Sequence, residues 1–268
     1  MTMRVVDVHV HYHIFLRKLP DHCRQFLQNV EDTKFTLNFK DVTVEKILLV
    51  PSHPCWSEEC SDGFDLDYEI RKGSELFLQW GEVNPVTCNV EQELERQYSL
   101  GIVGIKLHPV HHGFSPNAYR PEEGGDRKLE FIYSFAEEKK LPILIHTGTS
   151  IGVKARNKYG DPILVDDVMK DFDVTLILAH AGRPLWYDTA FYLARNYSNV
   201  FLEISSIPPR NLLKALPRLL EIEDKVLYGS DFPAFRSQDL AVHAWQVYRE
   251  LNSGKIMGDN ARRVLRLS

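Results

Sequence analysis

Short apolar runs alternate with amphipathic stretches along the whole chain. Runs at 4–11, 46–51, 76–84, 101–108, 142–147, 174–179, 199–205 and 225–229 are mostly short and rich in Val, Ile and Leu. Strands buried on both faces read this way. Between them, apolar positions recur at i, i+3, i+4 and i+7, the period of a helix with one buried face. Cys23, Phe26, Leu27 and Val30 make one such set, and Leu129, Ile132, Tyr133 and Ala136 another. Leu212, Leu213, Leu216, Leu219 and Leu220 make a third. Leu240, Ala241, Ala244, Trp245, Tyr248 and Leu251 make a fourth. Asp161-Pro162 reads as an N-cap followed by proline at the first helical position. Asp259 or Asn260 is expected to cap a last helix ending at Leu267.

Strands alternating with helices imply parallel pairing and right-handed crossovers. Eight such units predict an α/β fold of the closed (β/α)8 type, the TIM barrel; an open doubly wound sheet is the alternative. A barrel needs roughly 250 residues, and the chain has 268 with no linker or repeat to divide it. One domain over 1–268 is expected. Three connections, 12–40, 109–125 and 148–160, are long for a compact fold and read as lids. Each follows a strand, which puts all three on the face where barrels carry their chemistry.

Composition narrows the function classes. The net charge of -5 offers no basic footprint for nucleic acid. No apolar run approaches ~18 residues, so no membrane-spanning helix is expected. The N-terminus runs straight into a strand with no signal core, and a cytoplasmic location is the expectation. The four cysteines match no zinc ribbon or redox pair. Cys55 and Cys60, with His53, offer a metal site on paper; free thiols in a reducing compartment are the preferred reading.

The polar residues that break the apolar runs carry the chemistry. In Val6-Asp7-Val8-His9-Val10-His11, the two histidines sit at i and i+2 of a strand, ~6.6 Å apart along one face. Two imidazoles so placed can close on one ion, although an HxH pair alone is weak. His146 ends the run at 142–145, His180 the run at 175–179, Asp231 the run at 226–230, and Lys106 interrupts 104–107. All fall at the C-terminal ends of expected strands, so five strands converge polar groups on one mouth. That coincidence favours a shared site over five separate core residues.

The chain resembles the amidohydrolase superfamily, and most closely its amidohydrolase-related branch. The resemblance lies in Asp7-Val-His9-Val-His11, Gly104-Ile-Lys106-Leu-His108-Pro109, Ile145-His146-Thr147-Gly148, Ala179-His180-Ala-Gly182, Gly229-Ser-Asp231-Phe-Pro233 and the tail from Ile256. It implies that His9, His11, His146 and Asp231 are metal ligands. His180 takes the position that orients or deprotonates the metal-bound water, or binds a second metal, and Asp231 matches a residue that often doubles as a proton acceptor. Three histidines and a carboxylate suit Zn2+, with Mn2+, Fe2+ or Co2+ as alternatives. One ion is expected. A second, bridged by a carboxylated Lys106, is the alternative to an unmodified Lys106 that contacts substrate or water.

Lys154, Arg156 and Lys158 give the fifth loop a local charge of +3, and Arg183 and Arg236 follow the sixth and eighth strands. Positive loops attract an anionic substrate. Arg183, His108, His111 and Arg156 are therefore candidate substrate contacts; solvated loop side chains are the competing reading. Asp7 is expected to serve in structural hydrogen bonding, and Trp56, Trp186 and Trp245 in packing. The leading expectation is a metal-dependent hydrolase cleaving a C–N or C–O bond of a small carboxylate-bearing compound, on a chain that can self-associate. A non-oxidative decarboxylase of an aromatic or unsaturated acid is the runner-up. A phosphoesterase or nuclease similar to the TatD type ranks lower, because Lys106 stands where those carry an acid. A barrel that binds metal without catalysis is the remaining class.

Overall fold

The computed structural model describes residues 2–12, 35–51, 62–151, 155–233 and 239–267. Strands β1 (Met3–Val10), β2 (Val42–Leu49), β4 (Ile105–Leu107), β5 (Ile143–His146), β6 (Leu176–Ala179), β7 (Val200–Glu203) and β8 (Val226–Leu227) follow in chain order. β3 comes in two pieces, Phe77–Gln79 and Gly81–Glu82, on either side of Trp80. Each strand overlaps one of the eight apolar runs. A two-residue strand, Asn38–Phe39, pairs antiparallel with β2.

Every neighbouring pair from β1 to β8 is parallel. β8 returns to β1 through Val8 N–H to Tyr228 O at 3.1 Å, Asp231 N–H to His9 O at 2.8 Å and His11 N–H to Phe232 O at 2.8 Å. A bridge between Val10 and Phe232 joins the same two segments. The strands thus form the expected TIM barrel. Val6, Val8, Leu48, Trp80, Leu144, Ile177, Phe201 and Leu227 pack together inside it, with Ala261 and Leu265. Their strand neighbours Ile47, Ile105, Ile143, Leu176 and Val200 join a second cluster with the helices. Successive side chains point to opposite sides of a strand, and from β4 to β8 both sides are dry. This is why the runs are apolar rather than alternating.

The helices that position the strands follow the sequence with two exceptions. Arg127–Lys139 buries Leu129, Ile132, Tyr133 and Ala136, and the Asp126 carboxylate caps it. Leu240–Leu251 buries Leu240, Ala241, Ala244 and Leu251. Asp161 accepts from Ile163 N–H at 3.0 Å, as expected of a cap. The leucines of 212–220 do not make one helix. Leu212–Ala215 stops short of Pro217, and Leu219–Lys225 resumes as 3-10 turns; proline lacks the N–H and clashes with the preceding turn. Nor does Asp259 or Asn260 cap the last helix, Asn260–Val264. Asn260 Nδ2 is spent on Glu223 O at 2.7 Å and Val226 O at 2.8 Å. The helix expected over 23–30 lies outside the described residues.

Candidate active site

The polar residues at the strand ends meet at one mouth of the barrel. β1 carries one residue more than β2 between the pairs Asp7–Ile47 and Val10–Leu49. A bulge of this kind re-aims a side chain. Val8 lies in the interior cluster, and His9 beside it reaches across the ring to Glu203. Plain alternation would have sent one of these two outward, so the bulge modifies the simple i, i+2 reading.

His9 Nε2 lies 3.6 Å and His11 Nε2 3.3 Å from Asp231 Oδ1. The outer nitrogens are committed elsewhere. His11 Nδ1 is 2.9 Å from the Val50 carbonyl. A carbonyl only accepts, so Nδ1 holds the hydrogen and Nε2 the lone pair. His9 Nδ1 donates to Glu203 Oε2 at 3.1 Å, with the same consequence. Both imidazoles turn Nε2 toward one carboxylate oxygen.

Further imidazoles continue the file. Ring centroids are 5.2 Å apart for His9–His11, 5.0 Å for His9–His180 and 4.8 Å for His180–His146. His108 stacks on His146 at 4.0 Å and on His111 at 3.9 Å. His146 is buried, and neither ring nitrogen has a partner among the described residues. Burial, reinforced by neighbouring imidazoles and Lys106, holds His108 and His146 well below their ordinary pKa. Burial does the same to His180 against the pull of Asp231. Burial alone would raise the Asp231 carboxyl; the surrounding His11, His9 and His180 outweigh it and keep it well below the usual range. At neutral pH His108, His146 and His180 are therefore neutral imidazoles beside an ionised Asp231.

His180 and Asp231 sit at φ 65° and 57°. Left-handed backbone costs an L residue ~1–2 kcal/mol. His180 N–H donates to Glu203 Oε2 at 3.3 Å and Asp231 N–H to His9 O at 2.8 Å, which holds both in place. Such outliers cluster where function over-determines the backbone.

The remaining candidates divide. Lys106 is fully buried; burial takes its pKa down to about 8, against the carboxylates of Asp231, Glu203 and Glu82. His108 and His111 are buried, which removes the solvated-loop reading for them, and His111 Nε2 meets Ser150 Oγ at 2.6 Å. Arg183 is half-buried and its Nε has no partner among the described residues. Arg156 is exposed, and its N–H ties the fifth loop to Val110 O at 2.8 Å. Asp7 accepts from Ser230 N–H at 2.9 Å and His9 N–H at 3.2 Å, the structural part expected of it. Trp245 packs on Phe39. Lys154, Arg236, Trp56, His53, Cys23, Cys55 and Cys60 lie outside the described residues. Cys88 is disulfide-bonded, which corrects the free-thiol reading for that residue. Glu203, Ser205 and Ser206 were not singled out in the sequence, yet all three touch the site.

Residues 80–267 match the amidohydrolase family. The chain belongs to the amidohydrolase family. Its members are metal-dependent enzymes, and the His9, His11 and Asp231 donor atoms lie within 4.8 Å of one another. A second group, His9, His180 and Glu203, meets the same limit. Among solved structures the amidohydrolase fold recurs in a TIM-barrel protein from Bordetella bronchiseptica, 16% identical over 98% of this chain and 99% of that one, with a TM-score of 0.67. 5-Carboxyvanillate decarboxylase LigW from Sphingomonas paucimobilis is 14% identical over 100% and 99%, at 0.62. Dihydroorotase from Campylobacter jejuni is 15% identical over 99% and 84%, at 0.59. No curated protein matches the chain.

Proposed function

We propose that this amidohydrolase is a hydrolase in which His9, His11, His146 and Asp231 hold one divalent cation, with Zn2+ the best fit to the donor set. The observation that carries the reading is the spacing of 3.3 and 3.6 Å from Asp231 Oδ1 to the Nε2 atoms of His11 and His9. Ligands ~2.1 Å from a tetrahedral ion stand about 3.4 Å apart, whereas N–H···O bonds close to ~2.7–3.2 Å. His146 adds support: a buried imidazole with both nitrogens unpartnered among the described residues is a poor structural residue and a good ligand.

A divalent cation bound there supplies Lewis acidity toward a carbonyl and brings the pKa of water from 15.7 to ~7. His180 takes the water proton at its ring nitrogen, and burial makes it a neutral acceptor. Asp231 keeps its carboxylate ionised beside it and Ser206 Oγ donates to Oδ2. Lys106 and Arg183 set positive charge next to the imidazoles, which favours a substrate bearing a carboxylate next to a C–N or C–O bond.

The test is a panel of carboxylated amides, lactones and esters, with metal removed and restored and carbon dioxide release followed in parallel from aromatic acids. Metal-dependent C–N or C–O cleavage supports the reading. Carbon dioxide release without hydrolysis replaces it with the decarboxylase. No metal-dependent turnover of either kind removes it.

A further inference from the structure

The tail of β7 holds site groups that come from three other strands. Glu203 and Ser205 are fully buried. Glu203 Oε2 accepts from His9 Nδ1 at 3.1 Å, His180 N–H at 3.3 Å and Ser205 Oγ at 2.8 Å. Its Oε1 accepts from Ser205 N–H at 2.6 Å. Among the described residues no lysine or arginine is paired with this carboxylate; four donors from His9, His180 and Ser205 satisfy it instead. Beyond it, Ser206 Oγ donates to Asp231 Oδ2.

The donors fix a direction. A serine hydroxyl has one hydrogen, and that of Ser205 goes to Glu203. At 2.8 Å from His180 Nδ1 its oxygen is then the acceptor, so Nδ1 carries the ring hydrogen. A neutral imidazole with a hydrogen on Nδ1 has its lone pair on Nε2. The same carboxylate fixes the same tautomer on His9. We infer that Glu203 and Ser205 are positioning residues. The chain His180 Nδ1–H to Ser205 Oγ–H to Glu203 Oε2 holds His180 with Nε2 open to the reaction, while Glu203 also aims His9 Nε2 at Asp231. The kinetic part rests on the reading of His180 as the proton acceptor; the geometric part does not. Partners of this kind around a metal site are worth ~10–100-fold in metal affinity or activity.

The experiment is long-range 1H–15N NMR on the full chain with 15N-labelled histidine, which reads the tautomer of each ring, together with zinc titration and kinetics. Wild type is expected to show His180 and His9 protonated at Nδ1. Ser205→Ala should give mixed or Nε2-protonated His180 with His9 unchanged, and kcat ~10–100-fold lower with KM little altered. Ser205→Thr, which keeps the hydroxyl, should restore both. Glu203→Gln should also weaken zinc binding ~10–100-fold. His180 protonated at Nε2 in wild type overturns the inference outright, with no variant needed. An unchanged His180 tautomer in Ser205→Ala and Glu203→Gln overturns it as well. Unchanged zinc affinity in Glu203→Gln overturns the His9 half. A tautomer shift in a protein without metal-dependent turnover leaves the positioning in place and removes the hydrolase reading instead.

Discussion

Asp231 Oδ1 stands 3.3 Å from His11 Nε2, although the two residues lie near opposite ends of the chain. The other ring nitrogen, Nδ1, bonds the Val50 carbonyl at 2.9 Å, which turns Nε2 toward the carboxylate. Asp231→Asn keeps the shape and removes the negative charge. It should lower metal affinity at least about 100-fold, more than the loss of an outer partner. Elemental analysis after dialysis against metal-free buffer checks this; a variant that retains stoichiometric metal would place the ion elsewhere.

His180 should separate metal binding from turnover. Its ring nitrogen is bonded to Ser205 on one side and neighbours His9 and His146 on the other. His180→Gln is expected to keep one ion per chain and lose ~10²–10⁴-fold in kcat, the usual worth of a general base. Loss of the metal along with activity would make His180 a ligand.

Two glycines should behave differently when given a methyl group. At Gly229 the new carbon would stand 2.2 Å from Glu203 Oε1 and 2.9 Å from His9 Cβ. At Gly104 it would stand 2.3 Å from Trp80 Cζ3 and 2.5 Å from Pro142 O, away from those groups. Overpacking costs ~1–3 kcal/mol or more in each case. Thermal melts should fall for both alanine variants. Only Gly229→Ala should also lose metal per folded molecule, and equal retention in the two would show that position 229 does not govern the site.

The acid limb of stability should carry the signature of His243. This ring is buried behind Tyr228, whose hydroxyl lies 2.9 Å from Nδ1. Burial, partly offset by Asp231, takes its pKa from 6.5 down to about 4. Between those values the unfolded chain binds a proton that the folded chain refuses. The stability this ring contributes is full above pH ~6.5 and is lost as pH falls toward 4. At ~1.4 kcal/mol per unit, the difference of 6.5 − 4 = 2.5 units amounts to ~3 kcal/mol. His243→Phe should be less stable at pH 7, because Tyr228 loses its partner, yet flatter between pH 6.5 and 4.5 by ~1.4 kcal/mol per unit. Denaturant titrations at both pH values measure it, and parallel slopes for the two proteins would be the contrary result.

The strands were legible because β4 to β8 are dry on both faces, which leaves continuous apolar runs. His146, His180 and Asp231 were legible because each ends such a run. Glu203 was not, though the signal was there: Phe201, Glu203 and Ser205 share one parity within the run 199–205, so an acid lay on the face of a strand expected to be buried. The bulge beside His9 left no mark in the sequence, since it depends on the register with β2. His108 and His111 looked like loop residues because the inward turn Pro109–His112 follows from packing, not from periodicity. Pro217 was visible and outweighs the leucine period around it.

The seam between β8 and β1 is thinly stitched: β8 is two residues long, and beyond it the bridge at Val10 and Phe232, a few backbone bonds and the bond from Ser230 N–H to Asp7 span the joint among the described residues. His9, His11 and Asp231 stand on the two sides of that joint. An ion shared among them would act as a clasp, so stripping it should unzip this edge first. Amide exchange at His11 and Asp231 would then quicken well before that at Leu144 or Ile177.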